Sequence, residues 1–296
     1  MKNTFFNRAI ILILSILAIA FISGCSKSSA KTPDKVVDAV AEGLSKNEPQ
    51  VLWHALPENY QKDVNGLLSD FASKMDKDIW NKSFELVQKI ITILKTKKDL
   101  ILTGDMVNKA PVDKKQISEN WGSFVSILEL ILKSELADLE KIRKLDIEKF
   151  LAGTVSDLMK KASELSKLEK EDKYNKELDK LTRIKTSIIK TENEETTIKI
   201  EAPEKEPEMV VFIKVNNKWI PKELADQWKE KISKIKNELS EVAKKITAEE
   251  KQKLLGMMKS FDGILDQILA SKTKEDFESI IGQGIGMVIG MFLGKG

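Results

Sequence analysis

The stretch LTRIKTSIIKTENEETTIKIEAPEKEPEMVVFIKVNNKWIP, residues 181–221, decides the fold class, because its apolar residues abandon the helical spacing found on either side of it. Ile198, Ile200 and Ala202 alternate with Lys199 and Glu201, the period of two that a strand with one buried face requires. Residues 184–190 and 209–215 are the expected antiparallel partners, with turns at 192–195 and 202–208. Asn216 and Asn217 both tolerate positive φ and suit a tight hairpin turn, after which residues 218–220 return as a short fourth strand. Residues 177–221 therefore read as a small antiparallel β-meander.

Outward from this stretch the chain is helical. On the N-terminal side, Thr32-Pro33 reads as a helix start that carries Val36, Val37, Val40, Ala41 and Leu44 on one face. Residues 48–57, bounded by Pro49 and Pro57, suit a short helix or turn. Apolar stripes then recur at Tyr60, Val64, Leu67, Leu68 and Phe71, and at Trp80, Phe84, Val87, Ile91 and Leu94. Beyond a polar loop the pattern repeats at Ile117, Trp121, Phe124, Val125 and Leu128, and again after Asp146, an expected cap. The charged residues 169–176 are expected to end this helical region, 33–176.

On the C-terminal side, residues 222–296 read as a helical unit. Ala225, Trp228, Ile232, Ile235, Leu239, Val242 and Ile246 are spaced three and four apart, a heptad seam. Thr247 with Glu250 makes a capping box, and Leu254, Met258, Phe261, Leu265 and Ile268 form a second seam. So short a connection predicts an antiparallel helical hairpin, followed by a last helix capped by Thr273. The expected fold class is α+β, predominantly α: a helical bundle, the meander, a C-terminal hairpin and a final glycine-zipper helix.

Composition narrows the chemistry. The 296 residues are 42% hydrophobic and 32% charged, enough apolar mass for packed cores and too much for a disordered chain. A lone Cys leaves no internal disulfide, multi-Cys zinc site or dithiol motif, and a lone His leaves no two-His metal site. Lys and Arg number 49 against 46 acids, a balance that points away from nucleic acid as a partner. With no phosphate-binding glycine loop or serine elbow, the sequence predicts no cofactor, no metal and no enzyme. An envelope hydrolase built from clustered carboxylates is the enzymatic alternative, since such a site needs no short motif.

The N-terminus gives the sharpest signal. Residues 1–8 carry Lys2 and Arg8 and no acid, and residues 9–22 form a 14-residue uncharged run, the layout of a secretory signal spanning residues 1–24. That run is too short for a comfortable membrane crossing. It ends in Ile22-Ser23-Gly24-Cys25, which resembles the lipobox of bacterial lipoproteins, with Ile22 where Leu is commoner. The resemblance implies a diacylglyceryl thioether on Cys25, cleavage before it and acylation of the new N-terminus. Such a protein partners the membrane through its lipid anchor in the cell envelope, facing the periplasm. Ser26 in place of Asp favours the outer membrane where one exists. Removal of residues 1–24 leaves 47 basic residues against 46 acidic ones. Residues 25–32 then read as a lipidated tether of roughly 15 Å root-mean-square reach.

Two further groups of residues stand out. Gly282, Gly286, Gly290 and Gly294 recur every fourth position, a pattern resembling a glycine zipper, in which backbones approach closely along one helix face. Packing on the chain's own core, self-association or a partner helix, and insertion into lipid all remain open for it. Trp53, His54 and Tyr60 suggest either core and capping roles or a small ligand pocket. Asp76 and Asp78 read as acids at a helix start, where they complement the helix dipole, and Lys95, Lys97 and Lys98 as a solvated face. The leading functional expectation is a lipid-anchored, non-enzymatic binding or scaffolding module. A carrier of a lipid or other apolar ligand, and a self-assembling protein acting through the glycines, are the alternatives.

Overall fold

The structure, a computed structural model, describes residues 31–105, 114–167, 172–244 and 247–293, of which 241–244 and 285–293 are described by backbone alone. The expected signal, Cys25, most of the tether and Gly294 lie outside the described residues. In chain order the elements are α1 (Pro33–Ser45), α2 (Gln50–Ala55), α3 (Glu58–Lys74), α4 (Lys77–Thr96), α5 (Lys98–Thr103) and α6 (Lys114–Lys133). Then follow α7 (Leu139–Arg143), α8 (Ile147–Phe150), a wide π turn (Leu151–Val155), α9 (Ser156–Ser166) and α10 (Lys173–Thr182). Strands β1 (Lys185–Glu192), β2 (Glu195–Glu201), β3 (Glu208–Val215) and β4 (Lys218–Pro221) lead into α11 (Lys222–Lys244), α12 (Ala248–Ala270) and α13 (Lys274–Leu293). The fold is α+β and predominantly α, as the pattern of periods requires.

The helical block extends further than the charge pattern indicates. Residues 177–182, expected to open the meander, are the second half of α10. Its polar face is solvated while its other face lies against α1, so charge density marks an exposed helix here and not a break.

The described residues divide into two compact units, 31–74 with 142–241 and 75–141 with 242–293. These units cut across the linear blocks expected from the sequence.

The first unit holds the sheet, an antiparallel meander in the order β1-β2-β3-β4. Its tight turns use positive φ at Asn193 (48°) and Glu194 (68°), and at Asn216 (47°) and Asn217 (62°). The last pair is what the Asn-Asn step predicts. The inner face packs Ile198, Phe212 and Trp219 against Val36 of α1 and Ala55 of α2, with Val37, Ala39, Ile200 and Val210 around them. Ile198 is fully enclosed, which contributes about 2 kcal/mol of apolar transfer. The Trp219 indole donates to the Lys31 carbonyl at 3.1 Å, pinning the start of the described chain onto the sheet. Beside the sheet, α3 and α11 run in the same direction. The Tyr60 ring stacks on Trp228 at 3.9 Å, Asp70 pairs with Lys236, and the Lys74 ammonium donates to the Ser240 hydroxyl at 2.8 Å.

The second unit is helical. α4 packs against α12 and α6, and α13 lies on α12. Leu86, Ile93, Ile264, Leu265, Ile268 and Phe277 form its core. The partner of α12 within its unit is α4. The stripes on α4 and α12 are apolar at matching positions and flanked by opposite charges. Asp76 caps α4 by accepting from the Asp78 and Ile79 amides, the Thr247–Glu250 box starts α12, and Thr273 Oγ1 accepts from the Asp276 amide at 3.1 Å.

Candidate functional site

The residues expected to line a pocket are held by a short helix between two prolines. Pro49 and Pro57 bracket α2, and its exposed C-terminal carbonyls find donors elsewhere in the unit. Lys218 Nζ donates to the His54 carbonyl at 2.9 Å, and the Gln61 side-chain amide donates to Trp53 and Leu56 carbonyls at 2.8 and 3.3 Å. Trp53 and Tyr60 are both buried. Tyr60 gives its ring face to Trp228, whose indole donates to Asp63 Oδ2 at 2.8 Å. Burial, then the neighbouring Asp63 and Asp226 carboxylates, push the Tyr60 phenol above its usual value.

His54 sits at the edge of this packing. Its Nε2 lies 2.9 Å from Glu148 Oε1 of α8, an approach outside hydrogen-bond alignment. Three buried polar atoms around α2, Asn47 Oδ1, Gln50 Oε1 and His54 Nε2, make no hydrogen bond. Glu148 carries no local sequence signal that links it to His54. It lies 94 positions beyond His54, with only the Asp146 cap to mark its helix.

A separate open cleft of about 470 Å³ is lined by Asn65, Gly66, Leu68 and Ser69 of α3 and by residues 142–145. None of Trp53, His54 and Tyr60 lines it.

In the helical unit the charged residues singled out from sequence are engaged. Lys251 reaches both Asp76 at 2.8 Å and Asp78 at 2.6 Å, so the capping Asp76 and the first-turn Asp78 both tie α4 to α12. The lysine run is not simply solvated. Lys95 pairs with Glu129, Lys97 Nζ donates to the Ser271 carbonyl, and Lys98 Nζ donates to the Ser118 carbonyl at 3.0 Å. Asp262 of α12 lies between Lys82 at 2.8 Å and Lys89 at 2.6 Å, and these two ammonium groups hold its carboxyl below the usual range.

Of the two α13 glycines with described surroundings, Gly282 and Gly284, the close approach is made by Gly284, which stands outside the four-residue series. A Cβ on Gly284 would meet Ile264 Cγ2 at 3.0 Å, whereas one on Gly282 would meet nothing within 4 Å. Gly284 continues the stripe Phe277, Ile280 and Ile281 that packs on α12, which is the sequence signal for it. Gly286 and Gly290 fall on α13, described there by backbone alone, and Gly294 lies outside the described residues. Among the described residues no helix is long and apolar enough to cross a membrane, and no group of three or more His, Cys, Asp or Glu could hold a metal ion.

Comparison with protein-family models, curated proteins and solved structures gives no match.

Among the described residues the exposed large apolar side chains are Phe124 on α6 and three on the sheet. Ile188 and Ile189 on β1 and Met209 on β3 are 44%, 51% and 59% exposed, and nearly all of β1 faces solvent. α1 and α2 cover the inner face around Ile198, Phe212 and Trp219 but leave Ile188 of β1 about half exposed. Also open on β1 is the strand edge, a row of amides and carbonyls without a neighbouring strand.

Proposed function

We propose that the protein is a lipid-anchored component of a bacterial cell envelope, held to the membrane through Cys25, with a body that acts as a non-enzymatic binding or scaffolding module. The observation that carries this reading is the coincidence of a charged start, an uncharged run and Ile22-Ser23-Gly24-Cys25 around the chain's sole thiol. Two or three acyl chains at one residue give stable attachment where a single chain gives marginal binding.

The place where the body begins supports the reading. The Lys31 carbonyl is held by Trp219, so five residues separate Cys25 from the first anchored position of the sheet-bearing unit. Fully extended, the six steps from Cys25 to Lys31 reach about 20 Å, which keeps that unit close to the lipid surface. The binding role rests on the exposed β1 edge with its two adjacent isoleucines, a surface suited to another protein.

The test is expression of the full chain in a bacterium with an intact lipoprotein pathway. The protein is expected in the membrane fraction after a high-salt wash and to incorporate labelled fatty acid, and Cys25→Ser is expected to abolish the label. Absence of label from the membrane-bound protein, or its persistence in Cys25→Ser, would contradict the anchor.

A further inference from the structure

The edge strand β1 reads KTSIIKTE from Lys185 to Glu192, and its pairing with β2 fixes which side chains share a face. Lys185, Ser187, Lys190 and Glu192 lie opposite Glu201, Lys199, Thr197 and Glu195 on the outer face. Thr186, Ile188 and Thr191 lie opposite Ile200, Ile198 and Thr196 on the inner face. The register shifts between Ile188 and Lys190, leaving Ile189 as the extra residue of a bulge.

That bulge sits at the centre of a self-complementary sequence. Laying the strand antiparallel to itself about a point between Ile188 and Ile189 sets Lys185 opposite Glu192, Thr186 opposite Thr191, Ser187 opposite Lys190, and the two isoleucines opposite each other. Two identical antiparallel strands related by a two-fold axis normal to the sheet must place opposed residues on the same face. In a regular strand Lys185 and Glu192, seven positions apart, face opposite sides and this pairing fails. The bulge shifts the alternation by one at the point the axis would pass. It brings both members of each pair to one face: Lys185 with Glu192 outside, Thr186 with Thr191 inside, and Ser187 with Lys190 outside.

We propose that β1 is a self-association edge, along which a second copy of this chain adds its own β1 antiparallel and continues the sheet through a two-fold axis between Ile188 and Ile189. Charge complementarity selects the occupant. Lys185 of each copy meets Glu192 of the other, so the pairing gains two opposite-charge contacts by symmetry. Glu192 already lies 3.2 Å from Lys190 in its own strand, and the second copy's Lys185 completes a Lys–Glu–Lys alternation along the outer face. Ile188 and Ile189, about half exposed, become covered at the centre. Eight residues of strand edge bury less than a standard interface, so the association is weak, dissociating in the micromolar range or above. It is independent of lipid attachment at Cys25, and neither result decides the other.

The experiment is sedimentation velocity of the full chain in a non-ionic detergent from about 10 to about 500 µM, with far-UV circular dichroism as the folding control. The wild type is expected to dimerise with rising concentration. Lys185→Glu alone and Glu192→Lys alone each place like charges at both ends of the pairing and are expected to weaken it roughly ten- to thirtyfold. Mixing the two single variants restores opposite charges at both ends and is expected to give a heterodimer as strong as the wild-type dimer. A monomeric wild type across the range, a dimer insensitive to Lys185→Glu, or two folded variants that fail to associate on mixing would each overturn the proposal.

Discussion

Single residues set the tightest constraints in the sheet-bearing unit. Gly43 lies inside α1, where glycine normally costs about 1 kcal/mol of helix propensity against Ala. It is buried against α2, and a Cβ there would meet Val51 Cγ1 at 2.3 Å and Cγ2 at 2.9 Å. The β-branched Val51, itself buried, has little room to retreat. Gly43→Ala is therefore expected to destabilise the protein by about 1–3 kcal/mol in urea unfolding despite its better propensity. A stabilised variant would show that the contact is not as close as described. Asn217, at φ 62°, poses the opposite case, a backbone that glycine adopts freely. Asn217→Gly is expected to be neutral or slightly stabilising and Asn217→Ala to cost about 1 kcal/mol, read in the same assay. Asn216 is the less replaceable of the two, because its side-chain amide donates to Asn59 Oδ1 at 2.9 Å.

At the scale of elements, charge on both sides of an apolar stripe joins α4 to α12. Asp262 accepts from Lys82 and pairs with Lys89, and its carboxyl binds a proton less readily in the folded chain than in the unfolded one. Its stabilisation is therefore present above the ordinary carboxylate range and is lost as pH falls through the depressed folded value. Asp262→Asn is expected to cost about 1 kcal/mol at neutral pH and to flatten the loss of stability on acidification. An acid profile identical to that of the wild type would contradict the role given to this pair of bridges. Much at this scale was legible in the sequence. The alternation at Ile198 and Ile200, the Asn216-Asn217 turn, the Thr247–Glu250 box and the Asp76 cap are local signals, and each has the expected local structure. What escaped were features set by distant residues. Nothing near residue 177 announces that α10 continues to Thr182 along α1, and nothing near His54 names Glu148. The β1 bulge escaped for the same reason, since pairing with β2 creates it. Gly284 differs, since its stripe with Phe277 and Ile281 is visible in the sequence beside the four-residue series.

For the whole molecule, the account joins two units to one point of attachment. Each unit is closed by segments far apart in sequence, residues 31–74 with 142–241 and 75–141 with 242–293, so neither is a linear module. In the proposed arrangement the sheet-bearing unit follows Cys25 most closely, with its β1 edge confined to the layer next to the lipid. Tethering raises the local concentration of that edge, so a weak pairing in solution is strengthened at the membrane. The claim on which this picture depends is chemical, and the mass of the mature N-terminus tests it most directly. The full chain would be expressed in a bacterium, extracted from washed membranes, digested, and its N-terminal peptide measured by mass spectrometry. The account predicts a peptide that begins at Cys25 and carries a diacylglyceryl group on sulfur, with or without a further acyl chain on the amino group. A peptide that retains residues 1–24, or one with an unmodified Cys25 thiol, would contradict it.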